Sequence, residues 1–414
     1  MHPGNTHTPL ASWAPTAAPI VIRPADAEPA VGSVESGFVC DARVLNVVNG
    51  EHFSGAERVQ SHLGRCLPTF GVTADFVCVK PGRFAEILRG QNGCWGKGFQ
   101  APMRSRFDLR AAWSIAALVR RGRYDVLHAH TPRTAMLASV AARLSGVPWV
   151  YHVHSPASRD SSRSVSNQVN ATIERLSLRG CAHLITVSES LRMNCVSGGV
   201  AEEQVTVVHN GVPAVRPLRL RTPEPEGHWV LGMVALMRPR KGLEVVLNAL
   251  ARLRTKHDLT LRIIGPFESD SYRIGIDDQI ERLRIRDLVE FVGFTDDVPE
   301  ELAKLDAMVL PSLFGEGLPM VVLESMAAGL PVIATRVEGT PEAITDGVEG
   351  LLAEPGDAES LAGKMDALVS GQHDWTRMSD AAVARHRKDF SDLAMAQQTA
   401  RVYQKVLAGA RVPA

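Results

Sequence analysis

The chain of 414 residues is long enough for two domains, each burying its own core. With 45% hydrophobic and 22% charged residues it has the composition of a globular protein, and no apolar run reaches ~18 residues, so no membrane-spanning helix is expected. The net charge of zero hides an asymmetry: residues 37–213 carry 20 basic against 12 acidic residues, +8, and residues 214–414 carry 24 against 30, −6. Either the first half faces an anionic partner such as a membrane surface, or its arginines are simply solvated.

Residues 1–36 are rich in Pro, Ala and Thr, lack periodicity, and are expected to form a disordered leader. They lack the basic-then-apolar order of a secretory signal. The first strand is expected at Arg43–Val48, followed by a loop from Asn49-Gly50 and a helix over Ala56–Leu67. Further strands are expected at Ala74–Val79, Asp125–Ala129, Trp149–Val153, His183–Val187 and Val205–Val208. Helical patterns fall at Ser105–Arg121, Arg133–Leu144, Val165–Leu178 and Glu189–Ser197. Pro213, Pro217, Pro223, Pro225 and Gly227 then mark a linker, after which the alternation restarts.

In the second series, strands are expected at Val230–Val234, Thr260–Ile264, Val289–Val292, Ala307–Leu310 and Val332–Ala334. Helices are expected at Leu243–Arg254, Asp277–Ile285, Leu318–Ala328, Ala358–Val369, Trp375–Lys388 and Leu393–Leu407. Strands alternating with helices imply an α/β protein with parallel, doubly wound sheets. The expected division is a leader 1–36, a first domain 37–213, a linker 214–227, a second domain 228–390 and a C-terminal helix within 391–414. The six cysteines, Cys40, Cys66, Cys78, Cys94, Cys181 and Cys195, form no C-x-x-C pair and are expected to be reduced in a cytosolic protein.

Two loops stand out chemically. Glu316 and Glu324 lie eight residues apart across a strand–loop–helix boundary. Gly317-Leu318-Pro319 opens the helix, so backbone N–H groups there favour an anion such as a diphosphate. The second loop, Arg238-Pro239-Arg240-Lys241-Gly242, follows a strand and precedes another helix, which places fixed cations beside another helix start. The bland alternatives are solvated glutamates and a solvated basic turn.

In the first half, the loop Asn49–Gly55 holds Ser54 and Gly55, and lacks the G-x-G-x-x-G dinucleotide fingerprint. His128-Ala129-His130 and His152-Val153-His154 stand at strand ends. With no Cys or Asp cluster to complete a ligand set, no metal is expected there. Arg104, Arg106, Arg110, Arg120, Arg121 and Arg123 flank Trp113, Ile115, Leu118 and Val119 in a basic amphipathic helix. It either covers the sheet or docks on anionic lipid.

The segment Pro311-Ser312, Glu316-Gly317, Glu324, Met326-Ala327, Gly329 and Pro331-Val332 resembles the E-x7-E signature of the group 1 retaining glycosyltransferases. The resemblance runs from about Val44 to the C-terminus. It extends to Val337–Glu342, where Glu338 replaces the first of the family's two glycines, and to Asp346-Gly347 through Leu352. Such enzymes have the GT-B fold, two facing Rossmann-like domains, with a C-terminal helix that crosses back to the first. Lys241-Gly242 resembles the family's donor-phosphate loop, but the usual arginine five residues before that lysine is Leu236 here. Arg238 is the displaced candidate and Arg240 the stand-in. Ser54-Gly55-Ala56-Glu57-Arg58 is similar to a Gly-Gly-Ala-Glu-Arg loop.

The resemblance implies transfer from a nucleotide-diphosphate sugar to a glycan, lipid-linked or small-molecule acceptor. The nucleotide sugar is a substrate, no cofactor or metal is implied, and nucleic acid is not an expected partner. His154, Glu316 and Lys241 would act at the reacting centre. Gly55, Arg238, Arg240, Lys241, Glu316, Gly317, Leu318 and Glu324 would hold the donor. Ser54 and His130 would lie on the acceptor side. A GT-B epimerase or phosphorylase, or a non-catalytic sugar-nucleotide binder, are the other classes; the Leu236 and Ser54 departures favour the last, and no pyridoxal-phosphate lysine motif supports a phosphorylase.

Overall fold

The structure, a computed structural model, describes residues 35, 37–51, 53, 55–90, 96–105, 108–155, 177–215, 222–225 and 227–410. The leader and the expected helix Val165–Leu178 lie almost wholly outside the described residues, as do Ser54 and Arg106.

Two all-parallel sheets organise the chain. The first runs in the order β3-β2-β1-β4-β5-β6-β7, with β1 Ala42–Val48, β2 Val72–Cys78, β3 Gly98–Gln100, β4 Val126–Ala129, β5 Trp149–Val153, β6 His183–Thr186 and β7 Val205–Val207. The second runs β10-β9-β8-β11-β12-β13, with β8 Trp229–Val234, β9 Leu259–Ile264, β10 Val289–Gly293, β11 Ala307–Leu310, β12 Val332–Thr335 and β13 Gly350–Ala353. Strand order reverses between β1 and β4 in one sheet and between β8 and β11 in the other. Those reversals open the crevices in which α/β proteins bind ligands.

The strands are apolar on both faces because helices cover both faces. In the first sheet Leu45, Val47, Leu127, Trp149 and Tyr151 pack to one side. Val44, Val126, Val150 and Ile185 pack to the other, against Ala396, Ala400, Tyr403 and Val406 of the C-terminal helix Asp392–Ala410. That helix follows the second sheet in sequence and packs on the first in space.

Local chemistry sets the boundaries. Thr131 caps the helix Pro132–Ser145 by accepting the Thr134 N–H, with Pro132 in the first turn. The helix expected from Ser105 begins only at Arg110. The Asp108 carboxylate accepts the backbone N–H of Arg104 at 3.0 Å and of Arg110 at 3.1 Å, so one side chain ties both residues together just ahead of the helix. The helix expected from Asp277 begins at Asp270, where Ser269 accepts the Tyr272 N–H. The carboxylate helix starts at Met320 rather than Leu318. The sequence pattern also missed the helix Arg83–Gly90, the edge strand β3 and the edge strand β13. Each is short and starts or ends at a glycine or lies on a sheet edge, where the apolar period is weakest.

The two halves are joined by specific polar contacts. Asn210 Nδ2 donates to the Leu318 carbonyl at 2.9 Å. The Glu342 carboxylate accepts the N–H groups of Glu189 at 2.7 Å and Ser190 at 3.0 Å, and lies 3.1 Å from His209 Nε2. A second-half carboxylate therefore sits on the N-terminus of the first-half helix Glu189–Ser197, where charge and open N–H groups favour it.

Candidate active site

The basic loop leaves the C-terminal end of β8 and the Glu316 loop leaves that of β11, the pair of strands at the order reversal. They meet because Gly242 takes a left-handed φ of 70° and passes under Pro311; a side chain there would bring a Cβ to 2.1 Å from the Pro311 carbonyl oxygen. Lys241 Nζ and Glu316 Oε1 form a direct ion pair, with side chains 13% and 6% exposed. Ser312 Oγ donates to the same oxygen at 2.6 Å, and Arg240 Nη1 lies 3.5 Å from it. Arg240 also donates to the carbonyls of Phe314 at 3.3 Å and Gly315 at 3.1 Å. All three partners reach Oε1, which leaves Oε2 as the oxygen for a ligand hydroxyl.

Burial alone would raise the Glu316 pKa, but Lys241 and Arg240 outweigh it and hold the carboxyl below its ordinary range. Burial lowers Lys241, and Glu316 restores part of that loss. The charged pair is the state that these contacts favour. Glu338 supplies the next layer: its carboxylate accepts the Glu316 backbone N–H at 3.1 Å, and its φ of 35° is one that glycine adopts at less cost. The departure from a glycine pair thus brings a carboxylate into the loop.

Glu324 sits inside the helix Met320–Ala327 and pairs with Arg58 Nη2 at 2.5 Å. Burial raises its pKa, partly opposed by Arg58. Arg58 comes from the first-half helix Gly55–Cys66, so the second carboxylate of the motif is bridged to the opposite sheet. Arg238 precedes the one-turn helix Pro239–Lys241 and pairs loosely with Glu268, at 3.8 Å. Leu318 is buried, and its carbonyl receives Asn210. Gly55 begins its helix facing Met320; a Cβ there would lie 3.8 Å from the Met320 side chain. Ser54 lies outside the described residues.

The halves touch at the reacting end. A Cβ on Gly317 would lie 2.1 Å from the His154 carbonyl oxygen, so only glycine lets the Glu316 loop approach the end of β5 this closely. His154 is the last of four histidines on one face of the first sheet. His152 and His154 stack with ring centroids 4.3 Å apart and His130 and His154 at 5.5 Å, while His128 and His130 are tilted by 32° at 4.1 Å. The i,i+2 pairs stay on one face past the strand ends, a continuity that the sequence pattern did not anticipate. Tyr403 closes the far end, 2.7 Å from His128 Nδ1. Burial lowers the pKa of His154 to about 4 and that of His128 to about 3, and places His130 and His152 well below the ordinary value.

His128, His130 and His152 offer nitrogens within 4.8 Å of one another, so three imidazoles could take a metal ion. Both ring nitrogens of His130 are already engaged, by His154 at 3.3 Å and by Asn46 Oδ1 at 3.2 Å, so a metal bound to His130 would displace one of these contacts. Sequence reasoning did not assign Asn46, Arg58, Ser312 or Glu338 to the site. Asn46 did carry a signal, as a polar residue inside the apolar run Leu45–Val48.

Residues 216–385 match the family description "Glycosyl transferases group 1", and residues 53–216 match "Glycosyltransferase Family 4". A glycogen synthase of Mycobacterium tuberculosis is 33% identical over 73% of this chain and 77% of its own length. An MMP alpha-(1->4)-mannosyltransferase of Mycolicibacterium hassiacum is 30% identical over 76% of this chain and 77% of its own. Among solved structures, Anabaena Alr3699/HepE in complex with UDP superimposes with a TM-score of 0.74 at 22% identity, covering 87% of this chain and 99% of that one. It shares the arrangement of two facing, doubly wound parallel sheets.

Proposed function

The chain belongs to the group 1 glycosyltransferases, with the GT-B fold, and moves a sugar from a nucleotide-sugar donor; on that premise we propose a retaining transfer without a metal ion, onto a glycan, lipid-linked or small-molecule acceptor. The observation that carries the proposal is the convergence of Lys241, Arg240 and Glu316 at the β8/β11 reversal, against the end of β5 that bears His154. The donor lies mainly on the second half and the acceptor on the first. Solved structures of the Anabaena protein hold UDP and UDP-glucose, which supports a donor of that class.

Lys241 and Arg238 offset charge on the departing diphosphate, assisted by the helix start after Gly317. These fixed cations take the place of a metal. Glu316 holds hydroxyls of the transferred sugar and Glu324 those of the ribose, once the Arg58 pair opens to admit them. His154 positions the sugar at its reacting carbon. A phosphate oxygen of the departing diphosphate takes the acceptor proton, so no protein base is required. Contact between the halves excludes water and limits hydrolysis of the donor. The test is the anomeric configuration of the product, read by proton coupling constants with nucleotide sugars supplied as a panel. The configuration of the donor is expected; the opposite one overturns retention.

The two arginines are distinguishable. Arg240 is committed to two loop carbonyls and to Glu316, whereas Arg238 stands at the start of the one-turn helix, 3.8 Å from half-exposed Glu268. In calorimetric titration with UDP, Arg238→Ala is expected to weaken binding more than Arg240→Ala does, with Lys241→Ala at least as damaging as either. The reverse order for the arginines would give the phosphate role to Arg240.

We also propose a cytoplasmic enzyme that docks reversibly on the inner face of the membrane. In the helix Arg110–Gly122, Ile115 and Val119 are buried against the sheet, while Trp113 is 56% exposed among arginines. Among the described residues no helix is long and apolar enough to cross a membrane. Each basic side chain near an anionic surface contributes ~1 kcal/mol, screened by salt. Co-sedimentation with phosphatidylserine vesicles at low salt, lost at high salt, is expected; no binding at low salt refutes docking.

A further inference from the structure

The histidine beside Gly317 does not stand alone. Its Nε2 lies 3.3 Å from His130 Nδ1, and His130 Nε2 lies 3.2 Å from Asn46 Oδ1. Asn46 Nδ2 in turn donates to the backbone carbonyl of Asp75 at 3.2 Å. Asn46 and His130 are 1% and 2% exposed, so water does not compete for these bonds. The chain of contacts starts on β1, crosses to the end of β4 and finishes at the end of β5.

One end of this chain has a fixed polarity. A carbonyl oxygen only accepts, so the Asn46 side chain must present its NH2 group to Asp75. The opposite amide orientation would set two oxygens against each other inside the core. Asn46 therefore presents Oδ1 to His130, and Oδ1 only accepts as well. His130 must carry its proton on Nε2. A neutral imidazole has one N–H, so Nδ1 of His130 is an acceptor, and His154 must donate from Nε2. The lone pair of His154 is then left on Nδ1. Burial, which keeps both rings neutral at physiological pH, is consistent with this order of donors.

We infer that Asn46 and His130 are positioning residues that fix the tautomer of His154, with the proton on Nε2 and Nδ1 as a hydrogen-bond acceptor. In that state His154 takes a hydroxyl group of a ligand and has no N–H to spare for a phosphate or carboxylate oxygen. The device selects a sugar hydroxyl at the end of β5 and leaves phosphate binding to the basic loop opposite. It rests on the placement of His154 at the reacting centre, yet the tautomer itself is observable without turnover.

The test is long-range proton–nitrogen correlation on the full-length protein labelled with 15N-histidine at neutral pH, with His130 and His154 assigned by His130→Gln and His154→Gln. In the wild type both rings are expected as single Nε2–H tautomers. Asn46→Leu removes the acceptor, and both rings are expected to show averaged nitrogen shifts, with kcat/KM lowered about tenfold. Nδ1–H in wild-type His154, averaged shifts in the wild type, or no change in Asn46→Leu would each overturn the inference. Fixed tautomers together with full activity of His154→Gln would leave the inference standing and remove His154 from the reacting centre.

Discussion

Glu316→Gln is expected to lower kcat by at least about tenfold, ~1.4 kcal/mol of transition-state stabilisation, and Lys241→Ala by about a hundredfold. The two residues form one unit, in which Lys241 keeps Glu316 ionised and Glu316 keeps a buried lysine charged. Glutamine preserves the volume and the Ser312 contact but cancels the charge. Lys241→Ala also leaves the buried carboxylate with Arg240 as its remaining close cation. Because each residue supports the other, the double variant should lose much less than the product of the two single losses. Glu324→Gln is expected to lose at least about tenfold as well. Steady-state kinetics, with circular dichroism to verify the fold, decides it: full activity in both glutamine variants would remove the carboxylates from the site.

Acid should unfold this protein unusually early. His128 and His154 are held by burial to about 3 and about 4, and His130 and His152 lie well below the ordinary 6.5. The unfolded chain takes up these protons near 6.5 while the folded chain does not. Between about pH 6.5 and pH 4 the unfolded state therefore binds more protons, and stability falls as pH falls. Each such histidine contributes about 1.4 kcal/mol per pH unit in that window, so four together approach the whole stability of a typical domain within one or two units. Glu324, raised by burial, works in the opposite direction but at a single position.

The midpoint of thermal unfolding should accordingly drop steeply from pH 7 to pH 5. A flat profile to pH 4.5 would show that the cluster admits protons while folded. His152 adds a control, since neither of its ring nitrogens has a partner among the described residues. His152→Phe should be near neutral at pH 7, because no bond is broken, and should flatten the acid limb.

Much of this architecture was legible because parallel strands buried on both faces are written as short apolar runs, as in Trp149–Val153 and Ala307–Leu310, which the structure reproduces residue for residue. Glu189–Ser197 and Ala358–Val369 were equally clear, since Ser188 and Asp357 supply caps at their starts. The helix after Asp108 was misplaced because that carboxylate binds backbone on both sides of itself, and the one after Ser269 because its first turns are largely exposed and carry no apolar period. In the site, residues close in sequence to the motifs were visible and their cross-sheet partners were not. Nothing local to Glu324 announces Arg58, and nothing local to His154 announces Asn46, because strand order alone brings them together.

The placement of the donor is tested most directly by a crystal structure of the protein with UDP. The diphosphate is expected within about 3 Å of Lys241 Nζ and the Arg238 guanidinium, at the N-terminus of the helix Met320–Ala327, with the ribose on Glu324 and the Arg58 pair opened. UDP bound along the first sheet, against the Asn49–Gly55 loop and away from Lys241, would contradict it.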